Sequence, residues 1–205
     1  MPADILWSGP DSGQTLILAH GAGAPMDTPW MSTVAGLLGE RGIRVARFEF
    51  AYMAARRDGN RRPPPRAETL IEEYRAVLDG VGPAVAGGKS MGGRVASMLA
   101  DHDERVEGVV CLGYPFHPPG KPEQLRTVHL ETMETPTLIC QGERDPFGGP
   151  DEVAEYPLSP AVTVRWFADG DHGLKPRKGI TGLTELDHLT TAADAIAEFT
   201  ASVRP

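Results

Sequence analysis

The sequence predicts an α/β fold, a doubly wound and mostly parallel sheet of about six to seven strands with helices on both faces. Three observations predict it. Apolar runs of strand length alternate with stretches whose apolar residues recur at helical spacing. The 24 glycines and 19 prolines mark many tight turns between short elements. A length of 205 residues, 40% of them hydrophobic, suits one core, so residues 1–205 read as a single domain.

Each element follows from its local pattern. Thr15 to Ala19 is a continuous apolar run that ends in His20-Gly21. Thr28-Pro29 then opens a helix as N-cap and first-turn proline, with Met31, Val34 and Leu38 on one face and Gly42 after its end. Ile43 to Phe50 reads as a strand whose alternation suggests an edge position with one wetter face. Tyr52 to Arg66 reads as an arginine-rich loop holding Arg56, Arg57, Arg61, Arg62 and Arg66. Leu70, Tyr74, Val77 and Val81 mark the next helix, and Ala84-Val85-Ala86 the next strand. Val95, Met98 and Leu99 follow at helical spacing. Val106 to Leu112, Pro136 to Cys140 and Val162 to Phe167 are further strands, and Ile5 to Ser8 is an optional one at an edge. The irregular piece from Tyr114 to Thr135 suits a small cap over the sheet end. Thr184-x-x-Asp187 opens a closing amphipathic helix that carries Leu189, Ala192, Ile196, Phe199 and Val203.

Charge and composition narrow the function. With 20 basic and 28 acidic residues the net charge is −8, the wrong sign for a general nucleic-acid binder. No apolar run reaches the roughly 20 residues that span a bilayer, and Met1 to Gly13 lacks a signal pattern. Cys111 and Cys140 sit inside apolar runs and read as buried thiols, so neither a metal site nor a disulfide framework is expected. The expectation is a cytoplasmic domain without metal or cofactor.

Gly88-Lys89-Ser90-Met91-Gly92 matches G-x-S-x-G between a strand and a helix. The flanking glycines permit a reversal so tight that the serine is left strained and exposed at the strand end. Gly88-Lys89-Ser90 also ends like a phosphate-binding loop, but the required first glycine falls on Pro83 and the intervening residues look like strand. A serine in a tight turn is ordinary by itself, so the downstream residues decide.

A serine hydroxyl needs a base to take its proton, and the base needs an acid to fix its tautomer. Asp145 stands just beyond the strand Thr137 to Cys140, and His172 just beyond the strand Val162 to Phe167. Both therefore project at the sheet edge that holds Ser90, in the order serine, acid, histidine. Asp169 and Asp171 are rivals for the acid that read better as turn residues. His102 and His188 look solvated. His20 reads as a structural hydrogen-bonding residue. Two backbone donors are expected for a developing oxyanion, at Met91 and at Ala22 in the loop His20-Gly21-Ala22-Gly23. Lys89, Phe116 and His117 are candidate substrate contacts; Lys89 alternatively pairs with a neighbouring acid.

Taken together, these motifs resemble the α/β-hydrolase superfamily over nearly the full chain. Residues 88–94 (Gly-Lys-Ser-Met-Gly-Gly-Arg) and 113–122 (Gly-Tyr-Pro-Phe-His-Pro-Pro-Gly-Lys-Pro) look like a small dienelactone-hydrolase-like branch. That branch includes the hydrolase-like domain of a chromatin-complex subunit and a testis-expressed relative. The resemblance implies a triad at Ser90, Asp145 and His172 and a reduced or absent lid, with no particular substrate. The usual N-terminal hairpin looks truncated or missing. Two functions stand against each other: a serine hydrolase acting on a small ester or thioester, and a non-catalytic protein-interaction module that keeps the fold. The 56–66 arginines are either a solvated loop or a preference for anionic substrates.

Overall fold

The computed structural model describes residues 4–60 and 62–203; Arg61 of the arginine-rich stretch lies outside the described residues. Seven strands form one sheet: β1 (Leu6–Ser8), β2 (Thr15–Ala19), β3 (Arg44–Phe48), β4 (Ala84–Lys89), β5 (Val106–Leu112), β6 (Thr137–Gly142) and β7 (Val162–Phe167). Their spatial order is β1-β3-β2-β4-β5-β6-β7. Only the β1–β3 pairing is antiparallel. The optional edge strand is therefore present, and the described residues form seven strands.

Helices cover both faces, and residue alternation along the strands decides what each face receives. Leu16, Leu18, Val45, Val85 and Val110 point to the layer of α1 (Pro29–Glu40) and α7 (Glu185–Ser202). Ile17, Ala46, Phe48, Ala86 and Val109 point to the layer of α3 (Ile71–Val81) and α4 (Met91–Ala100). With both faces covered, the central strands are apolar throughout. Tyr74 of α3 reaches into the sheet, where its hydroxyl bonds Ile17 O at 3.0 Å and accepts from Gly87 N at 2.8 Å. Both expected caps form: Thr28 accepts from Met31 N, and Thr184 with Asp187 makes a capping box.

Three expectations are corrected. β3 lies inside the sheet between β1 and β2, and its residues Val45 to Phe48 are buried. Arg47, a charged residue of this strand, is itself buried. Its guanidinium donates to Met26 O, Ser32 Oγ and Ser8 Oγ at 3.0 to 3.1 Å, so burial leaves its charge solvated by protein oxygens. The stretch after Phe50 is helical first: Ala51–Arg57 forms α2, and the irregular chain begins only afterwards. His188 is buried, with Nδ1 bonded to Leu174 O at 2.8 Å and its ring against Phe167. Among the described residues no helix is long and apolar enough to cross a membrane.

Candidate active site

Ser90 sits where β4 turns into α4, with φ 52° and ψ −115°, a backbone region that non-glycine residues rarely occupy. Two close approaches enforce the turn. A Cβ on Gly88 would lie 2.5 Å from Gly92 C and 2.8 Å from Ala19 O, and one on Gly92 would lie 2.6 Å from His20 O. The serine backbone is tied across the sheet, Ser90 N donating to Leu112 O at 3.0 Å. Its hydroxyl is thus held at the C-terminal edge of the sheet, at the N-terminus of α4.

Two later strands deliver its partners. His172 follows β7 and Asp145 follows β6, at sequence distances of 82 residues from Ser90 to His172 and 27 from Asp145 to His172. Ser90 Oγ lies 2.8 Å from His172 Nε2, and His172 Nδ1 lies 2.8 Å from Asp145 Oδ2. The Asp145 carboxylate is fully buried and takes two further donors, Gln141 Nε2 at 2.9 Å and Phe147 N at 2.9 Å. An ionised carboxylate so placed fixes the Nδ1–H tautomer and leaves Nε2 free to accept the serine proton. The Phe147 ring lies against the imidazole, centroids 4.3 Å apart.

The rivals for the acid are engaged elsewhere. Asp169 is paired with Arg177 and Arg144, which hold its carboxyl far below the usual carboxylate range. Asp171 accepts from Gly173 N and Lys175 N and shapes the turn that presents His172.

On the other side of Ser90, His20 is fully buried, its Nδ1 2.6 Å from Gly21 O while Nε2 accepts from Phe50 N at 3.2 Å. This wiring requires a neutral ring, and burial accordingly lowers its pKa. Tyr52 Oη donates to Ala22 O at 3.0 Å, with its own pKa pushed up to about 12 by burial. The Ala22 segment is thereby fixed beside Ser90 and Met91, and the three residues border one cavity of about 570 Å³. Pro64, Pro65 and Phe147 supply apolar parts of its wall.

None of the three expected substrate contacts borders this cavity. Lys89 has its Nζ 4.0 Å above the Trp30 ring and 3.3 Å from His172 O. Trp30 in turn donates to Gly173 O at 3.0 Å, so the pair braces the His172 loop. Phe116 is fully buried between Tyr114 and Tyr156. His117 is buried and bonded to Pro118 O and Glu152. Residues 114–117 are buried, and of the four only Pro115 borders the cavity. Sequence reasoning missed Arg94 and Arg126 of the cavity wall. For Arg94 a signal existed, because it stands in the first turn of the helix that Ser90 opens. Of the arginine-rich stretch, Arg66 reaches the cavity, whereas Arg57 is bonded to Glu49 and Asp27.

Next to the cavity wall, His129 Nε2 lies 2.9 Å from Ser97 Oγ. Burial first, and the Arg94 charge second, push its pKa down from 6.5 to about 4. The unfolded chain therefore binds more protons between those values, and stability falls as pH drops through that window. Thermal unfolding should show the midpoint declining from pH 7 to pH 4. His129→Gln should flatten that slope, by about 1–2 kcal/mol over the window.

The alpha/beta hydrolase domain family matches residues 12–201, and the chain belongs to it. Solved structures of this fold agree along nearly the whole length. The dienelactone hydrolase of Anabaena variabilis is 20% identical, with TM-score 0.72 over 96% of this chain and 89% of that one. A serine hydrolase without lid from Xanthomonas campestris is 18% identical, with the same TM-score and coverage. The esterase domain of a Rhodothermus marinus protein is 16% identical, with TM-score 0.68 over 96% and 91% of the two chains.

Proposed function

We propose that the protein is a serine hydrolase that cleaves an ester or thioester of a small acyl group. The observation that carries this reading is the unbroken chain from Ser90 Oγ through His172 to Asp145, both links at 2.8 Å. In acylation Ser90 Oγ attacks the carbonyl carbon while His172 Nε2 takes its proton. The developing oxyanion is met by the backbone N–H groups of Met91 and Ala22, each such donor worth roughly 10²–10³ in rate. Collapse expels the alcohol or thiol, which leaves with the proton from His172. Water then attacks the acyl-enzyme, His172 accepts its proton, and the proton returns to Ser90 as the acid departs. Asp145 keeps its charge throughout and balances the imidazolium. The α/β-hydrolase membership and the esterase and dienelactone hydrolase folds among its structural likenesses support this reading.

A fluorophosphonate probe labels only activated serines, and adduct mass on wild type and Ser90→Ala tests the reading directly. Labelling is expected on wild type alone, with hydrolysis of short-chain p-nitrophenyl esters falling by roughly 10⁴ or more in the variant. A folded wild type that neither labels nor hydrolyses would overturn the proposal in favour of a non-catalytic interaction module.

A further inference from the structure

The cavity beside Ser90 is opposite in charge to the molecule that carries it. The chain bears −8, yet Arg66, Arg94 and Arg126 border this cavity, and among the described residues Glu68 is the only carboxylate on its wall. Glu68 is engaged by Arg94 at 2.5 Å. Among the described residues Arg126 has no acidic partner within ion-pair distance. Burial first, and the Arg94 guanidinium second, push its pKa down, while a guanidinium keeps its proton at any working pH. Two half-buried guanidinium groups around one carboxylate leave positive charge uncompensated, which is costly unless an anion completes the set.

The backbone that presents Arg126 is held in place. Arg126 N donates to Phe116 O at 2.8 Å, and Arg126 O accepts from the hydroxyl of fully buried Tyr114 at 2.8 Å.

We infer that the substrate of Ser90 carries a carboxylate, held by Arg126 with Arg94 beside it. The site thereby selects monoanionic esters or thioesters over neutral ones, and this rests on the hydrolase reading above. One charge is the right count, because Glu68 already answers Arg94 and Arg66 is exposed to screening solvent. A planar carboxylate matches the fork of a single guanidinium in two parallel hydrogen bonds. The volume of about 570 Å³ holds a small molecule of this kind. The anion preference considered for residues 56–66 thus moves to arginines on α4 and on the segment after β5.

Mono-p-nitrophenyl adipate and its methyl ester share one acyl chain and differ by a carboxylate. Wild type should favour the acid in kcat/KM by roughly tenfold or more, and Arg126→Gln should shrink that ratio by roughly tenfold to a hundredfold. Arg126→Lys should restore part of it. A wild-type ratio near one, or an Arg126→Gln variant that slows both esters equally, overturns the inference. Calorimetry with Ser90→Ala separates it from the hydrolase reading. Monomethyl adipate should bind that protein at least about tenfold tighter than dimethyl adipate, and adding Arg126→Gln should abolish the difference. That result supports an anion site even where fluorophosphonate labelling fails. Equal binding of the two compounds beside successful labelling sinks the anion site and leaves the hydrolase standing.

Discussion

On the proposed ester hydrolysis, Asp145→Asn should lower kcat by about 10⁴ while leaving the fold intact, the expected cost of a wrong imidazole tautomer. The present carboxylate accepts from three donors at once: His172 Nδ1, Gln141 Nε2 and Phe147 N. An amide of the same shape has one oxygen for those three. If that oxygen stays with Phe147 N, the NH₂ takes the Oδ2 position, faces His172 and forces Nδ1 to become the acceptor. The proton then sits on Nε2, where it blocks transfer from Ser90 Oγ at 2.8 Å. Steady-state kinetics on a neutral p-nitrophenyl ester, with circular dichroism as the folding control, measures this. A loss of less than tenfold would mean that the buried carboxylate does not govern the histidine.

Gly88→Ala destabilises the protein by more than about 3 kcal/mol, roughly a 10 °C drop in Tm for a chain of this size. The added methyl carbon would meet Gly92 C at 2.5 Å, Gly93 N at 2.7 Å and Ala19 O at 2.8 Å, all of them backbone atoms. No side chain can swing away, so α4 or β2 must move, and Ser90 moves with them. Gly36→Ala is the matched comparison. A Cβ there meets nothing within 4 Å, on an exposed position of α1, so alanine should be neutral or raise stability slightly. Differential scanning calorimetry of the two variants decides the point. Equal midpoints would mean that the turn tolerates the methyl group and is looser than its contacts imply.

The meeting of Ser90, Asp145 and His172 is legible in the sequence because it depends on strand ends. β4, β6 and β7 run parallel, so whatever follows each of them arrives at one edge of the sheet. Short apolar runs and the turns after them are local signals, and they carry that information without any knowledge of packing. Arg47 shows where such signals stop. Its charge reads as solvent exposure, and only the oxygens of Met26, Ser32 and Ser8, distant in sequence, reveal a buried guanidinium. The burial of Phe116 and His117 is hidden for a related reason. The chain after β5 has no periodicity from which to read which side chains turn inward. Arg126 hides in the same segment, and its position depends on hydrogen bonds to Phe116 and Tyr114 that no spacing rule announces.

The place of β7 in the sheet has a bearing on how the protein fails under stress. It is the last strand, bonded on one side only, and Thr163 and Arg165 face solvent while Val162, Val164 and Trp166 are only half covered. Edges of this kind open in small, reversible excursions that cost far less than melting the centre. His172 hangs from that edge, whereas Ser90 hangs from the middle strand. Fraying should therefore separate the imidazole from the hydroxyl while the interior is still intact, so that the proposed activity is lost before a warming or mildly denatured molecule comes apart.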